Sequence, residues 1–168
     1  MGLGNPGPHH ARNRHNVGFM AVDCLYSHYA FSPFVTKEKL SLSRGVINEK
    51  EVILCKPLAF MNLSGVTIAP LLRFYKIPLE HLLVIHDDLD LKFGTWKTKK
   101  GGGNGGHNGL KNIDQHLGKE YHRLRIGIGH PGHKDYVVGY VLDDFTKEEQ
   151  TEVDALFSEL VKDMSHFL

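Results

Sequence analysis

Apolar and polar positions change rhythm several times along the chain, and each rhythm predicts an element. Residues 16–30 (NVGFMAVDCLYSHYA) carry Val17, Met20, Ala21, Leu25 and Tyr29 at helical spacing, so one face of a helix is apolar. Residues 42–47 and 51–55 are short strand-like runs flanking Asn48-Glu49-Lys50, which predicts a hairpin. Residues 64–76 read as a helix in which Pro70 is tolerated only near a first turn or at a kink. LLVIH, at 82–86, is an apolar run that stops abruptly at acidic residues, as a buried strand would. A helix over 107–117 and a strand over 123–129 (RLRIGIG) follow. Thr146 and Glu149 then stand at capping-box spacing ahead of Val153, Leu156, Phe157, Leu160, Val161 and Met164. That stripe predicts a helix packed on the core.

Strands alternating with helices predict an α/β fold: a single-domain, three-layer sandwich over residues 1–168, with a mixed, mostly parallel central sheet flanked by helices. Ligands of such sheets bind outside the carboxyl ends of the strands, and HDD (86–88) falls at one such end.

Composition narrows the class without naming a chemistry. A chain of 168 residues fits one domain, and 41% hydrophobic with 23% charged residues fits a soluble globular protein. No apolar run approaches the roughly 20 residues of a membrane span, and no signal-peptide pattern opens the chain. Cys24 and Cys55 stand singly, with no C-x-x-C pair, so reduced cysteines and a cytoplasmic location are expected. A net charge of +1 argues against a globally basic nucleic-acid binder. Lys97, Lys99 and Lys100, Arg12 and Arg14, and Arg123 and Arg125 are nevertheless clustered, and a local basic stripe can hold phosphates.

The glycine-rich stretch GGGNGGHNG (101–109) costs folding entropy, so it implies a turn with positive φ or a backbone that something approaches closely. Gly101, Gly103 and Gly106 match the spacing of a dinucleotide fingerprint, as do Gly2, Gly4 and Gly7. Neither set follows an apolar strand. No Gly-Lys-Ser/Thr loop and no G-x-S-x-G elbow occurs. A metal site from His86, Asp87, Asp88 and Asp90 lacks the tight spacing of strong zinc motifs, so a metal-free site is preferred. His15 could take a proton from water and return it, and a carboxylate such as Asp87 could fix its tautomer. The amides of Asn5, Asn62 and Asn108 could position a water and donate to a developing oxyanion. That set suits metal-free, non-covalent ester hydrolysis.

GLGNPG, RHNVGF, KPLAFMNLSG, LLVIHDDLDL, GGGNGGHNGLK and HRLRIGIGHP, in this order over residues 2–145, resemble the bacterial-type peptidyl-tRNA hydrolases. The resemblance implies cleavage of the ester between a peptide, or an N-blocked aminoacyl group, and the 3′ ribose of tRNA. It implies His15 as the base that activates water and Asp87 as the group that orients it. Asn5 and Asn62 are implied to hold the peptide and the ester, and Asn108 to position substrate or water. His10 and Met61 would border the substrate groove, while Lys99 and Arg125 would clamp the tRNA 5′-phosphate. No cofactor is implied; the partner is peptidyl-tRNA, through its acceptor stem and 3′ end, and a monomer is expected. A catalytically idle RNA-binding relative of the same fold is the alternative. Three positions depart from the family pattern: His10 where tyrosine is common, Asn13 where threonine often precedes RHN, and Asn104 where histidine is frequent. Relatives also carry an apolar strand of several residues before GLGNPG, where only Met1 stands here, so either the first strand is clipped or a sheet edge is incomplete; many relatives also continue further beyond the last helix.

Overall fold

A computed structural model describes residues 1–167, with side chains described through Met164. Among them the chain forms six strands and five α-helices. The strands are β1 (Val35–Lys37), β2 (Leu40–Ile47), β3 (Lys50–Pro57), β4 (Leu83–Asp88), β5 (Trp96–Lys100) and β6 (His122–Gly127). The helices are α1 (Val17–His28), α2 (Ser64–Phe74), α3 (Asn108–Leu117), α4 (Val137–Leu142) and α5 (Lys147–Phe167).

The expected single, mostly parallel sheet is corrected to two three-stranded sheets. One runs β1-β2-β3 and is antiparallel throughout; the other runs β4-β6-β5, with β4 and β6 parallel and β5 antiparallel to β6. The connections explain this. Two-residue links join β1 to β2 and β2 to β3, and such short links permit only antiparallel pairing. The second turn has Asn48 and Glu49 at φ of 50° and 65°, as a type I′ hairpin requires. Between β4 and β6 the chain crosses over through α3, which makes a parallel pair possible.

The amino-terminal residues lie between the two sheets. Gly2 donates to the Cys55 carbonyl of β3, while Leu3 donates to Ile85 of β4 and Ile85 donates back to Met1. The Met1 ammonium donates to the Leu83 carbonyl, and burial pulls its pKa below the ordinary value of 8.0. Gly18, in the first turn of α1, lets that helix press on this segment. A Cβ there would collide with the Ile85 carbonyl and the Leu3 backbone.

One apolar cluster joins α1 and α5 to β4 and β6 through Val17, Leu25, Ile85, Leu124, Val153, Phe157 and Leu160. The other joins α2 and α3 to Leu3, Val84 and Tyr121. All six positions of the expected α5 stripe are buried. Its capping box forms as the spacing predicts: the Glu149 backbone donates to Thr146 Oγ1, and Thr146 donates back to the Glu149 carboxylate at 2.9 Å. Pro70 sits inside α2, where it has no N–H to offer the carbonyl of Val66, a residue on the exposed side. Among the described residues no helix is long and apolar enough to cross a membrane.

Candidate active site

A cleft of about 760 Å3 opens where the carboxyl end of β4, the glycine loop after β5, the start of α3 and α4 converge. It is the kind of strand-end crevice in which α/β proteins bind ligands. His15 enters from a short 3-10 turn (Arg14–Asn16) that precedes α1. Arg14 anchors this turn. Its guanidinium is buried over the Tyr140 ring, 4.3 Å from the centroid, and donates to Glu149 at 2.8 Å. The carboxylate that caps α5 therefore also fixes the segment carrying His15.

Asp87, 4% exposed, lies at the end of β4 and binds two imidazoles. Its Oδ1 and Oδ2 each lie 2.9 Å from His15 Nδ1, and Oδ1 also lies 2.9 Å from His107 Nε2. The backbone fixes the His107 tautomer. His107 is the N-cap of α3, and its Nδ1 accepts from the Gly109 and Leu110 amides at 3.1 and 3.3 Å. Its proton therefore resides on Nε2, which donates to Asp87. A charged Asp87 accepts from His15 in the same way, so His15 carries its proton on Nδ1 and keeps the Nε2 lone pair free.

The electrostatics follow from this geometry. Burial works to lower the His15 pKa, but the adjacent Asp87 charge and its hydrogen bond outweigh it, raising the value above 6.5. Burial works to raise the Asp87 pKa, yet the two histidines hold it far below the usual carboxylate range. His86 is fully enclosed and pushed down to about 4, chiefly by burial and then by His107, so it stays neutral. Its Nδ1 bonds the Asp87 carbonyl at 2.7 Å, while its buried Nε2 meets no partner among the described residues. The nitrogens and carboxylate of His15, Asp87 and His107 lie within 4.8 Å of one another, a spacing that could hold a metal ion. In the hydrogen-bonded arrangement both ring nitrogens facing Asp87 carry protons, so the cluster serves to order protons.

The sequence-based candidates Asn5, Met61, Asn62, Lys99, Asn108 and Arg125 all line this cleft with His15 and Asp87. Asn5 is buried and oriented: its Oδ1 accepts from the Met61 amide at 2.7 Å, which leaves its Nδ2 to donate. Asn16 holds the Asn5 backbone on both sides, at 2.9 Å each. Asn62 and Asn108 are exposed at the cleft wall. Lys99 projects from the edge strand β5, and Arg125 from β6 donates through Nε to Asp88 at 2.7 Å. His10 does not line the cleft; its ring bonds Asn13 at 3.0 Å, and Asn13 in turn donates to Asp144 at 2.8 Å. Asp88 also caps the Asp90 amide, and His130 and His133 each accept a backbone amide two residues on.

Sequence reasoning missed His107, although a signal existed. It opens the expected helix, in the position where a side-chain acceptor is needed. Arg123 was read only as part of a basic cluster, yet it is 2% exposed and points inward.

A family model described as peptidyl-tRNA hydrolase matches residues 1–168. The peptidyl-tRNA hydrolase of Rhodospirillum centenum is 50% identical over 161 residues, covering 96% of this chain and 71% of that protein. That of Rhizobium meliloti is 54% identical over 149 residues, covering 89% and 62%. That of Bartonella bacilliformis is 48% identical over 164 residues, covering 98% and 85%. The chain thus spans from under two thirds to about five sixths of the length of these relatives. Among solved structures, a peptidyl-tRNA hydrolase in complex with N-propanol superposes with a TM-score of 0.93 at 41% identity, covering 98% of this chain and 84% of that one. The enzyme from Acinetobacter baumannii gives 0.91 at 41%, covering 98% and 86%. The chain belongs to the peptidyl-tRNA hydrolase family and is a carboxylic ester hydrolase.

Proposed function

We propose that this chain hydrolyses the ester joining a peptide, or an N-blocked aminoacyl group, to the 3′ ribose of tRNA, with His15 as general base. The observation that carries the reading is the His15–Asp87–His107 arrangement, which leaves one unprotonated nitrogen, His15 Nε2, at the cleft. His15 takes a proton from water as the water attacks the ester carbonyl. Asp87 stabilises the imidazolium that forms, and His15 returns the proton to the departing ribose oxygen. Such proton transfer contributes roughly 10²- to 10⁴-fold. The amides of Asn62 and Asn108 donate to the tetrahedral oxyanion or hold the water, and the free Nδ2 of Asn5 donates to a substrate carbonyl.

Lys99 and Arg125 hold the tRNA 5′-phosphate. Their position on the adjacent strands β5 and β6, at one side of the cleft, supports that role. Phosphate contacts give affinity without sequence readout, which suits an enzyme acting on many tRNAs. An aminoacyl-tRNA with a free amine is discriminated against because its charged, hydrated amine would be desolvated beside the peptide-binding amides. The protein acts as a monomer in the cytoplasm. Release of N-acetyl-amino acid from N-acetyl-aminoacyl-tRNA in chelator, with free aminoacyl-tRNA as control, tests the reading. Rapid release from the blocked substrate alone is expected; no release from either by the folded protein would leave an RNA-binding relative as the better account.

A further inference from the structure

The glycine loop that separates Lys99 from Asn108 has almost no packing of its own. Side chains built at Gly103, Gly105 or Gly106 would meet nothing within 4 Å. What fixes its near end is a buried arginine. Arg123 donates through Nη1 to the Gly103 carbonyl at 2.6 Å and through Nη2 to the Gly102 carbonyl at 2.9 Å. The same Nη2 reaches Asp114 of α3 at 3.3 Å, and Asp114 also accepts from the Tyr121 hydroxyl at 2.8 Å. The guanidinium lies 4.7 Å from the centroid of the Tyr121 ring, and Gly101 donates to the Tyr121 carbonyl at 3.0 Å. An enclosed cation is costly unless it is paired and hydrogen-bonded. Here its forked donors are directed at the carbonyls of two consecutive loop residues.

The fork has a consequence at Lys99. Gly102, at φ 93°, leaves the space that the Lys99 side chain crosses, and a Cβ there would strike the Lys99 Nζ and Cε. Holding the Gly102 and Gly103 carbonyls inward therefore fixes the surface over which Lys99 reaches the cleft. The His107 ring makes no bond to the Arg123 fork: it is held by Asp87 and by the Gly109 and Leu110 amides.

We infer that Arg123 is the positioning residue that pre-orders the glycine loop for capture of the tRNA 5′-phosphate by Lys99. The inference rests on the tRNA-binding reading above and extends it to a residue only 2% exposed, whose guanidinium is engaged by the loop carbonyls. A loop already ordered spares the ordering cost on binding, so its effect belongs in affinity and KM, not in kcat.

The test measures binding of deacylated tRNA with and without its 5′-phosphate, alongside hydrolysis of N-acetyl-aminoacyl-tRNA, for the parent, Lys99→Ala, Arg123→Lys and Gly102→Ala. Arg123→Lys keeps the charge but loses the two-carbonyl fork. It is expected to abolish the preference for 5′-phosphorylated tRNA, roughly tenfold in the parent, and to raise KM while kcat changes less than about threefold. Amide hydrogen exchange over residues 101–106 should accelerate while that of α3 holds. Gly102→Ala, whose added methyl meets the Lys99 side chain, should lose the same preference even if Arg123→Lys fails to fold. An unchanged phosphate preference in the folded variants, a preference absent from the parent, or a fall in kcat with KM unchanged would each overturn the inference. A parent that binds tRNA phosphate-dependently but releases no amino acid would overturn the hydrolase reading and leave the role of Arg123 standing.

Discussion

His15 Nδ1 lies 2.9 Å from both carboxylate oxygens of Asp87, across 72 positions of sequence. With His107 donating to the same carboxylate, the proton on His15 is committed to Nδ1, which leaves Nε2 as the nitrogen able to serve as the proposed base. The relationship makes the chemistry dependent on which groups are charged, and so on pH.

On the proposed mechanism activity requires neutral His15, whose pKa is raised above 6.5. The rate kcat/KM should therefore rise with pH through a midpoint above that value, then level. A pH–rate profile checks this. In Asp87→Asn the limb should move to lower pH, because the charge that holds the proton is gone, and kcat should drop on the order of 10²- to 10⁴-fold.

The same substitution should change acid stability in a defined direction. The folded-state pKa of Asp87 is depressed below 3.8, so the unfolded chain binds the extra proton as pH falls. Its stabilisation is complete above the unfolded value and is lost as pH drops towards the folded one. Denaturant titrations from about pH 5 to pH 2 should therefore show a shallower loss for Asp87→Asn than for the parent.

The expected elements were legible where local pattern suffices. The stripe from Val153 to Met164 and the Thr146/Glu149 box needed only helical spacing, and the hairpin at Asn48-Glu49 needed only turn chemistry. Sheet membership was not legible: the alternation of LSLSRGVI in β2 gives a face but not a partner, and β3 meets Gly2 rather than a strand of the second sheet. RHN and HDD flagged His15 and Asp87, which the fold brings to 2.9 Å of each other, because their side-chain types carry the proposed chemistry. His107 and Arg123 escaped because their partners, Asp87 for one and the Gly103 and Gly102 carbonyls for the other, lie 20 or 21 positions away and only the fold brings them near.

His107 couples stability to activity, and two variants separate the links. His107→Ala removes the α3 cap and one partner of Asp87, which should cost about 1–2 kcal/mol and lower kcat. His107→Asn restores a good cap without an imidazole to reach Asp87. Its melting temperature should recover while kcat stays low; equal recovery of both would show that the cap alone matters.

Glu149 is shared between the α5 cap and Arg14. Glu149→Ala leaves the buried Arg14 guanidinium without its carboxylate and opens the capping box, which should destabilise the fold by on the order of 2–4 kcal/mol. Thermal unfolding checks the loss. Activity well below the transition should fall far less than in His15→Ala, since no cleft group is removed.

Lys99→Ala should weaken tRNA binding and reduce the slope of log affinity against log salt by about one phosphate contact, with kcat largely kept. Binding titrations at several salt concentrations decide it. An unchanged slope would remove Lys99 from the phosphate clamp.

The most direct measurement is turnover and tRNA binding by His15→Ala beside the parent, on N-acetyl-aminoacyl-tRNA with chelator present. The account predicts fast release by the parent, a loss in the variant on the order of 10²-fold or more, and nearly equal binding. A variant that still turns over at close to the parental rate would contradict His15 as the base.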